Sequence, residues 1–279
     1  MKDLEKYFEF NLKRWNELAE INPKSKFYDL DGFKKGKTSL LPIELKELGP
    51  VKGKSLLHLQ CHFGMDTLSW ARRGAIVTGV DFSDKAIRYA KQLSEELRIK
   101  AKFIHANVYD IPKVINQKYD IVFTSYGAIC WLPDLPKWAE IIEYCLKPGG
   151  TFYIIDNHPF GIIVDEKKQP FQVGYNYFTE GKPVYWDDSG TYAGEEIELE
   201  NTTSYEWFHK MGDIVNSLIN AGLIIDFLHE FPFSFFKLHP DMKKREDGYW
   251  EFQTLKFSIP MLFSLRVKKS KISNPILAH

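Results

Sequence analysis

Between Lys54 and Pro159, short apolar runs alternate with amphipathic stretches, and that alternation sets the reading of the chain. Ser55–Gln60 and Ala75–Val80 are apolar runs too short for helices. Between them lie a turn over Gln60–Asp66 and helical spacing over Thr67–Arg73, stopped at Gly74. Ser83-Asp84 caps a helix over Lys85–Leu97 that turns Ala86, Ile87, Ala90 and Leu93 inward. Lys102–Ala106 predicts a third strand. Ile121–Ser125 predicts a fourth, with the near-continuous apolar character of a central parallel strand. A helix over Lys137–Leu146, the turn Lys147-Pro148-Gly149-Gly150 and a fifth strand, Thr151–Ile155, complete the series. Strand and helix in this alternation predict an α/β fold.

The flanks read differently. Leu4, Phe8, Leu12, Trp15 and Leu18 predict an amphipathic helix over residues 3–20, broken at Asn22-Pro23, and Leu40–Leu48 predicts a second. Residues 160–205 read as a β-rich insertion with runs at Phe171–Phe178 and Val184–Trp186, and seven aromatics fall between Phe171 and Tyr192. Such a segment is either a lid that shapes an apolar pocket, or a hairpin that closes a sheet edge or a dimer contact. Trp207–Ala221 predicts a helix with Phe208, Met211, Ile214, Val215, Leu218 and Ile219 inward, ended by Gly222. Leu223–Phe233 and Ser258–Val267 predict the sixth and seventh strands. The charged stretch Lys237–Gln253 between them is expected to be exposed, and Lys268–His279 to be a solvated basic tail.

The chemistry concentrates at the first strand–helix–strand unit. Asp81 stands at the carboxyl end of the second strand, about one ribose away from the turn after the first. A carboxylate there accepts hydrogen bonds from two vicinal hydroxyls and repels a 2′-phosphate. The turn itself carries Gln60, His62 and Phe63, and only Gly64 lacks a Cβ, so it does not offer the bare backbone that cradles a pyrophosphate. A nucleoside ligand without phosphates fits better, and S-adenosylmethionine is such a ligand. The first strand's His58 reads as a buried neutral histidine bonded to backbone groups, and Cys61 as a small core residue. His58 and His62 do not converge on a metal.

With these motifs in hand, HLQCHFGMDTLSWARRGAIVTGVDFS, then AKFIHANVYDIP, KYDIVFTSYGAICWLPDL and LKPGG, the chain resembles the class I S-adenosylmethionine-dependent methyltransferases, within them a subgroup whose cofactor turn is written HLQCHFG. The resemblance runs from about Lys54 to Pro159. It implies a Rossmann-like, seven-stranded, mostly parallel sheet with helices on both faces. Residues 1–50 would form an N-terminal helical cap, 51–159 the cofactor-binding core, 160–205 an inserted lid, and 206–279 the rest of the core with an antiparallel strand pair. It implies that the cap lies over the cofactor, with Tyr28 and Trp15 as aromatic faces toward the sulfonium. Gln60 and the amides near Gly64 would face the cofactor's amino-acid end. His62 would point into the same cleft, as a contact to the carboxylate or a support behind it. Asp81 and Phe82 would hold the ribose side, and Asn107 and the Val108 amide the adenine, unless Asn107 is merely the turn residue that ends its strand. Thr124, Ser125 and Tyr126 would lie between cofactor and acceptor, with Trp131 at the mouth. His158 is the candidate general base, or else a backbone-bonded turn histidine.

Composition narrows the acceptor. Lys+Arg and Asp+Glu balance at 37 each over 279 residues, which gives no footprint for nucleic acid or an anionic membrane. A small-molecule acceptor is expected, on a cytoplasmic monomer or homodimer. Three unclustered cysteines argue against a disulfide framework. The rival readings are a non-catalytic protein that binds the same nucleosides, and a nicotinamide oxidoreductase. The missing phosphate turn, and the lack of a Tyr-x-x-x-Lys or similar hydride-transfer pair, disfavour the second.

Overall fold

The computed structural model describes residues 2–168, 171–194 and 198–271. The N-terminal segment forms α1 (Lys2–Ile21), α2 (Leu30–Lys34) and α3 (Pro42–Leu48). The alternating core follows: β1 (Ser55–Leu59), α4 (Met65–Arg72), β2 (Ile76–Asp81), α5 (Asp84–Glu96), β3 (Lys102–His105), α6 (Ile111–Val114), β4 (Tyr119–Ser125), α7 (Leu135–Cys145) and β5 (Leu146–Asn157). After α8 (Pro159–Ile162) come a hairpin of β6 (Val184–Asp187) and β7 (Thr203–Glu206), then α9 (Met211–Asn220) and β8 (Leu223–Phe231). A small hairpin of β9 (Met242–Lys244) and β10 (Trp250–Phe252) precedes β11 (Leu262–Lys269).

Seven strands form one sheet in the order β3-β2-β1-β4-β5-β11-β8. The first five run parallel, and β11 lies antiparallel to both β5 and β8, as the sequence led us to expect. The strand order reverses between β1 and β4, which opens a crevice at their carboxyl ends. All of β1 is buried, and its pleat sends neighbours to opposite faces. Leu57 joins the cluster under α7 and α9 with Val122, Trp138 and Ile154, whereas Leu56 joins Trp70, Phe123 and Tyr153 on the other face. Truncating either leucine to alanine costs about 2–5 kcal/mol, the price of a cavity in a close-packed interior.

Several elements differ from expectation. β5 starts at Leu146, because the Lys147–Gly150 segment is a bulged entry to the strand where the register with β4 shifts after Tyr119. A Cβ on Gly150 would stand 2.9 Å from the Lys147 carbonyl, so that entry requires glycine. Phe171–Phe178 forms no strand; a single bridge, Val164 to Val173, is its only pairing among the described residues. The stretch 237–253 is not simply exposed. Met242, the first residue of β9, and Tyr249, just before β10, are buried. Ile219, expected inward, is 48% exposed at the end of α9. The last strand runs to Lys269, and tail residues 272–279 lie outside the described residues.

The insertion packs on α1. Asn11 pairs its side-chain amide with both backbone groups of Tyr205 at 2.8 Å, as a strand would. Arg14 Nη1 donates to the Asp188 carbonyl at 2.7 Å, and Glu17 accepts from the Glu200 and Asn201 amides. α1 is in turn tied to the start of α5, where Asn16 donates to Asp84 and accepts from Ser83. Cap and insertion thus form one continuous cover. Among the described residues no helix is long and apolar enough to cross a membrane.

Candidate active site

Beneath α1, at the carboxyl ends of β1, β2 and β3, lies a partly open cleft. Its apolar walls are Val80, Phe82, Ala106, Val108 and Leu132, with Phe8 of α1 above. Asp81, Asn107 and Gln60 give it polar points, and Trp131 stands at its side.

Asp81 is held by backbone alone. The His62 amide donates to Oδ2 at 2.8 Å and the Ser83 amide to Oδ1 at 2.9 Å. Burial raises its carboxyl to about 6, and those amide bonds pull the other way. Each oxygen keeps a further lone pair for a ligand in the cleft. Asn107 lines the cleft and also performs the strand-ending role, since its Oδ1 accepts from the Tyr109 amide at 3.0 Å.

Residues 57–154 match the model of a methyltransferase domain. The chain has the class I S-adenosylmethionine-dependent methyltransferase fold. A ubiquinone biosynthesis O-methyltransferase of Saccharophagus degradans is 30% identical over 132 residues, which cover 46% of this chain and 56% of that one. The chain thus spans a little over half the length of that curated relative. A S-adenosylmethionine dependent methyltransferase of Mesorhizobium loti superimposes with a TM-score of 0.55 at 16% identity, covering 79% of this chain and 93% of that one. Another, from Clostridium acetobutylicum, gives 0.54 at 15% identity and covers 92% and 99%. These structural likenesses show the fold.

Within this methyltransferase fold the turn after β1 is built unexpectedly. Gln60 and His62 are both left-handed, with φ of 55° and 50°. Non-glycine residues there cost about 1 kcal/mol each, so the surroundings must hold them. Gln60 Nε2 donates to the Ala128 carbonyl at 2.8 Å. His62 does not line the cleft. It lies under the cap, with Nε2 2.9 Å from Asn22 Nδ2 and its ring against Trp15 and Phe63. Phe63 packs into the interior with Tyr28 and Tyr89. Gly64 faces inward too: a Cβ there would stand 2.8 Å from Phe103 and 2.9 Å from Ala90. Its missing side chain lets the turn close on β3 and α5, and the rings beside it leave the cleft clear.

The structure sets the remaining predicted residues around a second, closed polar cluster. His58 bonds to side chains, not backbone: Nδ1 is 2.8 Å from Thr67 Oγ1, and Nε2 is 3.3 Å from Ser125 Oγ. The backbone of β1 is already used in pairing β2 and β4. Burial pushes this imidazole down to about 3, so it is neutral. Ser125 donates to Asp66, and Thr124 is buried beside it, so neither lines the cleft. Tyr126, strained at φ 38°, donates to Glu44 Oε2 at 2.7 Å. Glu44 is wholly buried, which raises it to about 8. Tyr28 shares a 2.6 Å hydrogen bond with Tyr192 of the insertion.

Two residues at the end of β5 bond to backbone amides. Asp156 accepts from the Gly127, Ala128 and Ile129 amides and so fixes the loop that carries Trp131. His158 has the turn role. Its Nδ1 accepts from the Phe160 amide at 3.0 Å, and its Nε2 stands 2.8 Å from Glu230 Oε1. Burial depresses its pKa, while Glu230 opposes that shift. Sequence reasoning missed Asn11 and Asn22. Both are polar positions fully buried on the cap, and their partners lie far along the chain.

Proposed function

We propose that this chain is a S-adenosylmethionine-dependent methyltransferase that acts on a small-molecule acceptor by in-line transfer. What carries the reading is Asp81, fixed by two backbone amides at the lip of an apolar cleft and offering lone pairs to a vicinal diol. The cleft suits an adenosine: Val80, Phe82, Val108 and Leu132 supply flat apolar contact for the base, and Asn107 supplies a polar edge. S-adenosylmethionine, when bound, brings a methyl group already activated by its sulfonium. The chain's own part is then to align the acceptor and exclude water, which the joined cap and insertion do as a cover.

The curated relatives' names speak of O-methylation in ubiquinone biosynthesis, and a small acceptor here agrees with the balanced charge. The three cysteines are unpaired and buried, which fits a cytoplasmic setting. A thermal-shift series with S-adenosylmethionine, S-adenosylhomocysteine and NAD tests the cofactor, and transfer of labelled methyl into metabolite extracts tests the reaction. Stabilisation by NAD alone would remove the reading. Tight binding of both sulfur nucleosides without transfer to any acceptor would favour a non-catalytic binding protein.

A further inference from the structure

The β6–β7 hairpin turns an acid and an indole to the same side. Its register sets Val184 opposite Glu206 and Trp186 opposite Ser204, so these four side chains share one face. Ser204 is buried there, and Glu206 and Trp186 are half-buried. The chain on either side of Glu206 is tied to the cleft. Tyr205 pairs through its backbone with Asn11, which lines the cleft. The Trp207 amide donates to the Cys130 carbonyl and His209 Nε2 to the Leu132 carbonyl, both at 2.7 Å, on either side of Trp131. Glu206 therefore stands under the insertion, next to the cleft wall.

Among the described residues the carboxylates of Glu206 and Glu166 have no hydrogen bond and no ion pair. The cations near them are committed elsewhere. Arg14 gives its guanidinium to the carbonyls of Asp188, Gly190, Asn201 and Thr202, and Lys167 pairs with Asp188 at 3.1 Å. Burial raises Glu206 to about 7; the charge of Arg14 opposes the rise and that of Glu166 adds to it. Burial raises Glu166 as well. A second observation is independent of the acids. Trp186 Nε1 is buried and has no hydrogen-bond partner among the described residues. Its ring lies 5.1 Å from that of Tyr175, which lies 5.8 Å from that of Phe208. Burial, then the charges of Asp165 and Glu166, raise the Tyr175 phenol, so the rings and the acids are neighbours.

Carboxylates held away from water without a donor call for a cation. Among the described residues no three His, Cys, Asp or Glu side chains are grouped to hold a metal ion, whereas aromatic faces beside the acids suit an organic ammonium. We propose that the methyl acceptor is an amine, its ammonium held by Glu206 and Glu166 against the rings of Tyr175 and Trp186 beneath the insertion. The indole N–H of Trp186 then has an acceptor atom of the same molecule to pair with. The proposal rests on the methyltransferase reading and adds the chemical class of the acceptor. It concerns how that molecule is held, whichever of its atoms takes the methyl group. The insertion is thereby a specificity element as well as a cover.

The test is transfer of labelled methyl from S-adenosylmethionine, by the full chain, into a metabolite extract split beforehand on a cation exchanger. Label should enter the retained, cationic fraction. Glu206→Gln keeps the side chain's shape and removes its charge. It should cut that labelling at least about tenfold, the worth of one charge-assisted hydrogen bond, and leave S-adenosylhomocysteine affinity within about threefold of wild type. Glu166→Gln should cut the labelling in the same direction. Label in the neutral and anionic fractions alone overturns the proposal and leaves the methyltransferase reading standing. So does undiminished labelling by Glu206→Gln, or a matching loss of its S-adenosylhomocysteine affinity. No label in any fraction overturns both.

Discussion

The backbone amide of His62 donates to Oδ2 of Asp81 over 2.8 Å, joining the turn after β1 to the tip of β2. The left-handed conformation of His62 belongs to the same turn that presents this amide, so a strained residue outside the cleft sets the carboxylate inside it. We expect Asp81→Ala to weaken S-adenosylhomocysteine binding by about 1.5–3 kcal/mol, the range for hydrogen bonds to a charged group. Calorimetry that shows equal affinity would remove the ribose assignment.

The same carboxyl makes binding depend on pH. Burial raises Asp81 to about 6 from its ordinary 3.8, and only the ionised form accepts from two hydroxyls at once. Affinity should be flat above neutrality and should fall as pH drops through about 6, approaching tenfold per unit. Asp81→Asn should show no such fall. A wild-type affinity that holds steady well below that point contradicts the account.

Glu44 gives stability a slope of its own. Its folded-state pKa of about 8 lies above the ordinary 4.5, so its contribution is complete below the lower value and is lost as pH rises through the higher one. The loss approaches ~1.4 kcal/mol per pH unit within that window. Glu44→Gln keeps an oxygen for the Leu41 amide and carries no charge. Denaturant midpoints on either side of the window should fall for the wild type with rising pH and fall less for the variant. Parallel slopes would show that Glu44 is solvated.

His158→Ala should behave as a structural change. Removing the acceptor for the Phe160 amide costs about 1–3 kcal/mol of stability. S-adenosylhomocysteine affinity should stay within about threefold of wild type. A hundredfold fall in turnover with stability intact would return the histidine to the chemistry.

Much of this was legible because it is local. The apolar runs of β1 and β2 and the acid closing β2 all fall between Ser55 and Asp81, and they place the cleft and Asp81. The cap was legible as a helix but not as a partner. Leu12 and Trp15 mark its apolar face, whereas Asn11 reads as ordinary polarity until it pairs with Tyr205, 194 residues away. The place of His62 under the cap was not legible, because a side chain's direction depends on backbone handedness, and nothing in its residue type announces a positive φ. In 237–253 the charges masked two isolated apolar positions, Met242 and Tyr249, that are buried.

A crystal structure with S-adenosylhomocysteine tests the central claim most directly. The adenosine should lie across the tips of β1, β2 and β3, with both ribose hydroxyls on Asp81 and the base between Phe82 and Val108. Density for the nucleoside elsewhere, or a ribose that does not touch Asp81, would contradict it.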